Sequence, residues 1–228
     1  MRAALALVAL AGCTADTAGV QVTCKDYPQD FLAAGPLGTP QTRYFPLVTG
    51  ATWTYTFTAP LETTNQTVTV NAPEIVDGTD PPVTAFPVVT AKAHGVVVTT
   101  WIEDRGTQVI RHRELSIDGD GDPFGDERFT PGRPLLEEAG AHLDAGSSWT
   151  SHFKDTITDS GGTYQDCKSD QWELVSADDT VTVPAGTFHA IKLLRSDSGT
   201  TTWYAKGVGR VKQTGATTSF ELLDYAIP

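Results

Sequence analysis

The stretch Gly50-Ala51-Thr52-Trp53-Thr54-Tyr55-Thr56-Phe57 decides the fold class. In an extended chain successive side chains point to opposite faces, so a period of two gives one wet and one dry face. Trp53, Tyr55 and Phe57 fall on one face, and Thr52, Thr54, Thr56 and Thr58 on the other. A helix would scatter the three aromatics around its circumference. β-branched and aromatic residues also suit a pleated, half-buried surface. The stretch reads as a half-buried antiparallel strand.

The pattern returns as Gly146-Ser147-Ser148-Trp149-Thr150-Ser151-His152-Phe153, with Gly, Trp and Phe at the same spacing. Other landmarks recur in the same order. Ala85-Phe86-Pro87-Val88 aligns with Thr187-Phe188-His189-Ala190, and Thr99-Thr100-Trp101-Ile102 aligns with Thr201-Thr202-Trp203-Tyr204. Two copies are too few for a solenoid. They predict one β domain over residues 44–228 made of two related meanders, about 44–115 and 142–214. The expected fold class is all-β: a curved antiparallel sheet, open barrel or half-barrel of about ten strands. Residues 131–143 read as the connector between the halves, with a short helix and with Leu135, Leu136 and Leu143 suited to plug an end.

A chain of 228 residues can bury a full core, and 39% hydrophobic with 19% charged residues is a globular composition. The formal charge of −12 is repelled by phosphate backbones, which argues against nucleic acid as a partner.

The N-terminus carries an address. Met1-Arg2 precedes the apolar run from Ala3 to Ala11, which is too short to span a bilayer as a helix. A basic start, an apolar run and small residues are the marks of a secretory signal. Leu10-Ala11-Gly12-Cys13 in addition resembles the lipobox of bacterial lipoproteins. The resemblance implies a signal peptide over residues 1–12, cleavage before Cys13, and a diacylglycerol thioether on Cys13. Several acyl chains anchor a protein stably where one does not. Thr14 stands where an Asp would favour inner-membrane retention, so the resemblance implies the outer membrane of a bacterial envelope. Residues 13–43, with Pro28, Gly35, Pro36, Gly38 and Pro40, read as a lipid-anchored tether.

With Cys13 assigned to lipid, Cys24 and Cys167 are left. In an oxidising compartment two such thiols are expected to form a disulfide. Asp118-Gly119-Asp120-Gly121-Asp122, with Asp126, offers oxygens that a Ca²⁺ ion would take, or a solvated hairpin tip. The match to an EF-hand loop is incomplete, because Pro123 stands at the required Gly and Phe129 at the bidentate Glu.

Apart from that weak calcium pattern the sequence implies no cofactor. The five histidines show no metal-ligand spacing, and no nucleophile elbow or phosphate loop is present, so no catalytic residue is assigned and a hydrolytic enzyme is disfavoured. Trp53, Tyr55, Phe57, Trp101, Trp149 and Trp203 are either core or the walls of an apolar cavity.

Tyr44-Phe45-Pro46-Leu47, Gly50…Trp53…Tyr55, Val183-Pro184-Ala185-Gly186-Thr187-Phe188 and Trp203-Tyr204-Ala205-Lys206-Gly207-Val208-Gly209 resemble a broad group of bacterial envelope lipoproteins, TapB-like and related families. The likeness covers about residues 44–228. It implies antiparallel β structure and carries no catalytic residues. The expected function is a lipid-anchored, non-catalytic binding or interaction module with the membrane and a protein as partners. The alternative is a carrier or sensor of an apolar or lipid ligand.

Overall fold

The computed structural model describes Cys24 and residues 35–138 and 140–228. The strands are β1 (Thr52–Ala59), β2 (Glu62–Val70), β3 (Glu74–Ile75), β4 (Thr84–Ala91), β5 (Val97–Asp104), β6 (Gln108–Ile117) and β7 (Pro123–Glu137). After a 3-10 turn at Gly140–Leu143 come β8 (Ser148–Asp159), β9 (Gly162–Val183), β10 (Gly186–Arg195), β11 (Thr200–Ala205), β12 (Gly209–Thr214) and β13 (Ser219–Ala226). Every pairing is antiparallel between chain neighbours, apart from two. β1 pairs with β13, Trp53 facing Tyr225, and β2 pairs with β4, Val70 facing Val88. These two pairings close twelve strands into a barrel, and only β3 stands outside the ring.

The all-β expectation holds, but the open sheet of about ten strands is corrected to a closed barrel of twelve. One unrecognised strand accounts for much of the difference. β7 was expected to be an acidic tip followed by a connector, because it holds Pro123, Pro131, Pro134, Gly125 and Gly132. The strand absorbs them by starting at Pro123 and by bulging. Arg111 faces Arg133 while Arg113 faces Arg128, so β7 spends extra residues opposite His112. Prolines are tolerated at strand starts and at bulges, where no ladder donor is lost. Gly132 sits in that bulge, and a Cβ there would lie 2.5 Å from Ile110. The helix expected within residues 131–143 is only the 3-10 turn.

The two head stretches enter the barrel alike. Gly50 N–H donates to Val70 O and Val70 N–H to Ala51 O, at 2.8 and 3.0 Å. Gly146 N–H donates to Leu174 O and Leu174 N–H to Ser147 O, at 2.7 and 2.9 Å. Both glycines take positive φ, 89° and 85°, which a side chain would resist. The Phe86 and Phe188 strands are β4 and β10, and the Trp101 and Trp203 strands are β5 and β11. The bounds expected for the two meanders, about 44–115 and 142–214, take in five ring strands each, and β7 and β13 fall outside both.

Successive hairpins alternate between the two ends of the barrel. At one end the segment 43–48 crosses the opening. Arg43 is 4% exposed and reaches Asp104 at 2.7 Å and Glu138 at 2.9 Å. Tyr44 N–H and Phe45 N–H both donate to the Glu138 carboxylate at 3.0 Å. Leu47 is buried, and Tyr44, Phe45, Leu135 and Leu143 pack on the main core. Tyr44-Phe45-Pro46-Leu47 is therefore the plug, joined by two of the leucines expected in that role. The short turns at residues 60–61, 196–199 and 215–218 stand at the other end.

Candidate functional site

The barrel is not filled between plug and turns. A cavity of about 280 Å³ remains, walled by residues from both halves. Its apolar wall is made by Phe45 of the plug with Val88, Ile102, Leu135 and Trp172. Trp53 and Tyr55, which share the inner face of β1, line it, and each is fixed by its polar end. Trp53 Nε1–H donates to Val208 O, and Tyr55 O–H donates to Arg210 O at 2.8 Å. A buried indole or phenol needs such a partner.

The remaining wall is polar. Thr90, Thr100, Thr200 and Thr202 project inward, and so do Arg111, Arg195 and Arg210. The Arg210 guanidinium lies 4.6 Å from the Tyr55 ring centre and 4.7 Å from that of Phe220, within cation–π range. Its Nη1–H donates to Gln213 Oε1 at 3.0 Å. Arg195 Nε–H donates to Ser198 Oγ at 2.8 Å, with Asp197 3.6 Å away. Arg111 pairs with Glu114 at 2.9 Å, and burial pushes its guanidinium pKa down. Among the described residues the cavity wall carries three arginines and no carboxylate. Burial raises the Tyr204 phenol, against the opposing positive charge of Arg210, Arg111 and Arg195.

A second polar cluster spans β7, β8 and β9. Arg133 clasps Asp170 at 2.7 and 3.1 Å, with its guanidinium 5.2 Å from the Phe153 ring centre. Asp155 is buried and pairs with Lys168. Burial first, and then the negative charge of Asp155, push the Glu127 carboxyl up to about 7. Arg111 acts in the opposite direction on it.

The other aromatics expected to be core or cavity walls divide between the barrel's faces. Phe57 packs on Phe220 at 5.0 Å, next to Arg210, outside the cavity wall. Trp149 belongs to the main core, stacked on His142 at 4.3 Å and near Trp172 at 6.5 Å. Trp101 and Trp203 do not line the cavity. Thr100, Ile102, Thr202 and Tyr204 do, so alternation puts both tryptophans on the outer face. Trp101 packs with Val76 and Ala85 and donates to Glu74 at 2.7 Å, while Trp203 donates to Asp179 at 2.8 Å. Each also has a cation over its ring, Arg113 at 4.8 Å and Lys192 at 5.1 Å.

Cys24 and Cys167 form a disulfide, as expected. Cys13, residues 1–12 and much of the tether lie outside the described residues. The acidic stretch is the β6–β7 hairpin tip. Asp118 Oδ1 accepts from the N–H groups of Asp120 and Asp122 at 3.0 Å, while Asp126 is held by Arg113 at 2.7 Å. The structure does not bring these four carboxylates together, and among the described residues no group of three or more His, Cys, Asp or Glu is placed to hold a metal.

The three cavity arginines were not singled out by the sequence reading. Their only signal is phase. Arg195 follows Ile191 and Leu193 at a spacing of two, and Arg111 follows Val109 in the same way.

No family model matches the chain, and no curated protein matches it. Two solved structures are similar to it. A Bacteroides fragilis chain described as an exported protein with a YmcC-like fold is 13% identical, with a TM-score of 0.42 over 80% of this chain and 98% of that one. A Parabacteroides distasonis chain described as a lipoprotein is 13% identical, with a TM-score of 0.41 over 81% and 99%. Likenesses this slight do not define a shared fold or function.

Proposed function

We propose that this chain is a lipid-anchored bacterial envelope protein, without catalytic activity, whose barrel interior binds a small ligand. The anchor rests on Leu10-Ala11-Gly12-Cys13, and Thr14, standing where an Asp would favour inner-membrane retention, supports the outer membrane as its site. The resemblance to TapB-like envelope lipoproteins points the same way. The observation that carries the binding role is the cavity of about 280 Å³ inside the ring, with aromatic walls and inward polar groups. Ligand pockets are largely apolar with a few placed polar groups, and they span about 300–1,000 Å³. At about 280 Å³ this one falls just below that scale. It suits a single small molecule and is too small to enclose a two-chain lipid, so the broader reading as a lipid carrier is narrowed.

The outward residues of β1 are threonines, so this wall of the barrel offers hydroxyls to water. That favours a ligand within the ring over an apolar docking face at this position. Native mass spectrometry of the protein extracted from its own envelope tests the proposal. The expected result is a small additional mass that is lost on denaturation. A bare protein mass from a preparation that retains its Cys13 lipid would move the search to protein partners.

A further inference from the structure

The protein as a whole is strongly negative, at formal −12, yet the cavity inside its ring is lined by cations. Of the three arginines, Arg111 has Glu114 at 2.9 Å and Arg195 has Asp197 at 3.6 Å. Arg210 is different. Its guanidinium is held by two aromatic faces and the Gln213 amide, and no carboxylate pairs with it among the described residues. A cation placed in a partly dry site without a counter-charge favours an anion strongly, because the local dielectric is low. Guanidinium groups also match carboxylate and phosphate oxygens in geometry.

Cationic and apolar groups adjoin in the cavity wall, with Arg111 facing Ile102 and Arg195 facing Trp172 in the ladders. Arg195 and Thr200 flank the turn at residues 196–199, and Gln213 sits beside the turn at 215–218. Phe45, Trp53 and Leu135 belong to the plugged end. The cavity therefore offers guanidinium groups and apolar surface side by side to one small molecule.

Resting on the reading of the barrel interior as a ligand site, we infer that the ligand is a small anionic amphiphile. Its carboxylate or phosphate head lies at Arg210 and Arg195, and its short apolar body lies against Trp53, Val88 and Ile102. The shared chemistry is one negative headgroup on a single short chain.

The test is titration calorimetry of the full chain with octanoate, octyl phosphate, octanol and inorganic phosphate. Both anionic amphiphiles are expected to bind, and octanol is expected to bind roughly 10- to 100-fold more weakly, the worth of a charge-assisted hydrogen bond. Arg210→Met is expected to lower the affinity for both anions by a similar factor and to leave octanol unchanged. Arg195→Gln, near the turns, should act in the same sense, and matched thermal melts separate lost binding from lost folding. Preference for octanoate would point to a fatty-acid type of ligand, and preference for octyl phosphate to a phosphate monoester. Octanol binding as tightly as octanoate would overturn the anion and leave the cavity as an apolar site. Inorganic phosphate binding as tightly as octyl phosphate would overturn the amphiphile. Binding by none of the four would overturn both this inference and the ligand-binding role.

Discussion

Arg43→Met tests what holds the plug in place. Arg43 Nη1–H reaches both oxygens of Asp104, at 2.7 and 2.9 Å, and Nε–H reaches Glu138 at 2.9 Å. The Arg43 carbonyl accepts from Gly207 N–H at 2.8 Å, so this residue joins the plug to three separate loops. Methionine keeps the aliphatic stem and removes the charge. The Glu138 side chain is only 5% exposed, and its carboxylate would remain buried with two backbone donors and no cation. Breaking a buried pair by deleting one partner costs about 3–5 kcal/mol. For a domain of this size that is a fall in Tm of roughly 6–20 °C. Chemical denaturation and calorimetry of wild type, Arg43→Met, Glu138→Gln and the double variant give the coupling directly. The double variant should recover part of the loss, since the neutral amide that replaces the Glu138 carboxylate has no charge to strand. Amide hydrogen exchange at Tyr44, Phe45 and Gly207 should rise in the single variant. A loss below about 1 kcal/mol, the value of a solvated surface pair, would refute the clamp.

Other perturbations follow from the same geometry. Glu127 carries a folded pKa raised from 4.5 to about 7, so the folded state holds its proton more tightly. Its contribution is present below about pH 4.5 and is lost as pH rises through about 7. The ceiling is about 3 kcal/mol, and its partial exposure brings this to on the order of 1–2 kcal/mol. Glu127→Gln should therefore stabilise the protein at pH 8 and change little at pH 4, as read by thermal melts across pH. Equal shifts at both pH values would contradict this. Trp53→Phe removes the donor to Val208 O and should cost about 1–3 kcal/mol in denaturant titration, beyond a small packing loss. A change within error would mean that water replaces the indole there. Reduction of the Cys24–Cys167 bond should expose two alkylatable thiols and lower stability by about 2–4 kcal/mol. Finding both thiols free before reduction would exclude the bridge.

The correction to the strand count shows where local reading ends. Residues Trp53 to Phe57 specify a strand in any context, because alternation is a property of the backbone itself. Residues 123–137 look like loop, since Pro and Gly weaken isolated strands. They become β7 only because β6 and β8 lie on either side to supply the ladder. The disulfide needed only three cysteines and a compartment to anticipate. The calcium pattern shows the converse, because Asp126 stands near Asp118 in sequence while its carboxylate is turned to Arg113.

By itself the sequence determined the all-β class, the two head strands, the turns and the cysteine pair. These depend on side-chain period, on backbone freedom at Gly and Pro, and on short linear motifs, all of which are local. Closure was decided by tertiary structure alone, through Val70 facing Val88 and Trp53 facing Tyr225, pairings that no local pattern encodes. The cavity was decided the same way. Arg111, Arg195 and Arg210 are far apart in the chain and look like ordinary strand arginines, and only the closed ring turns them towards one space. Strand period fixes which residues share a face. Whether that face looks into a lumen or out to water depends on how the ring closes.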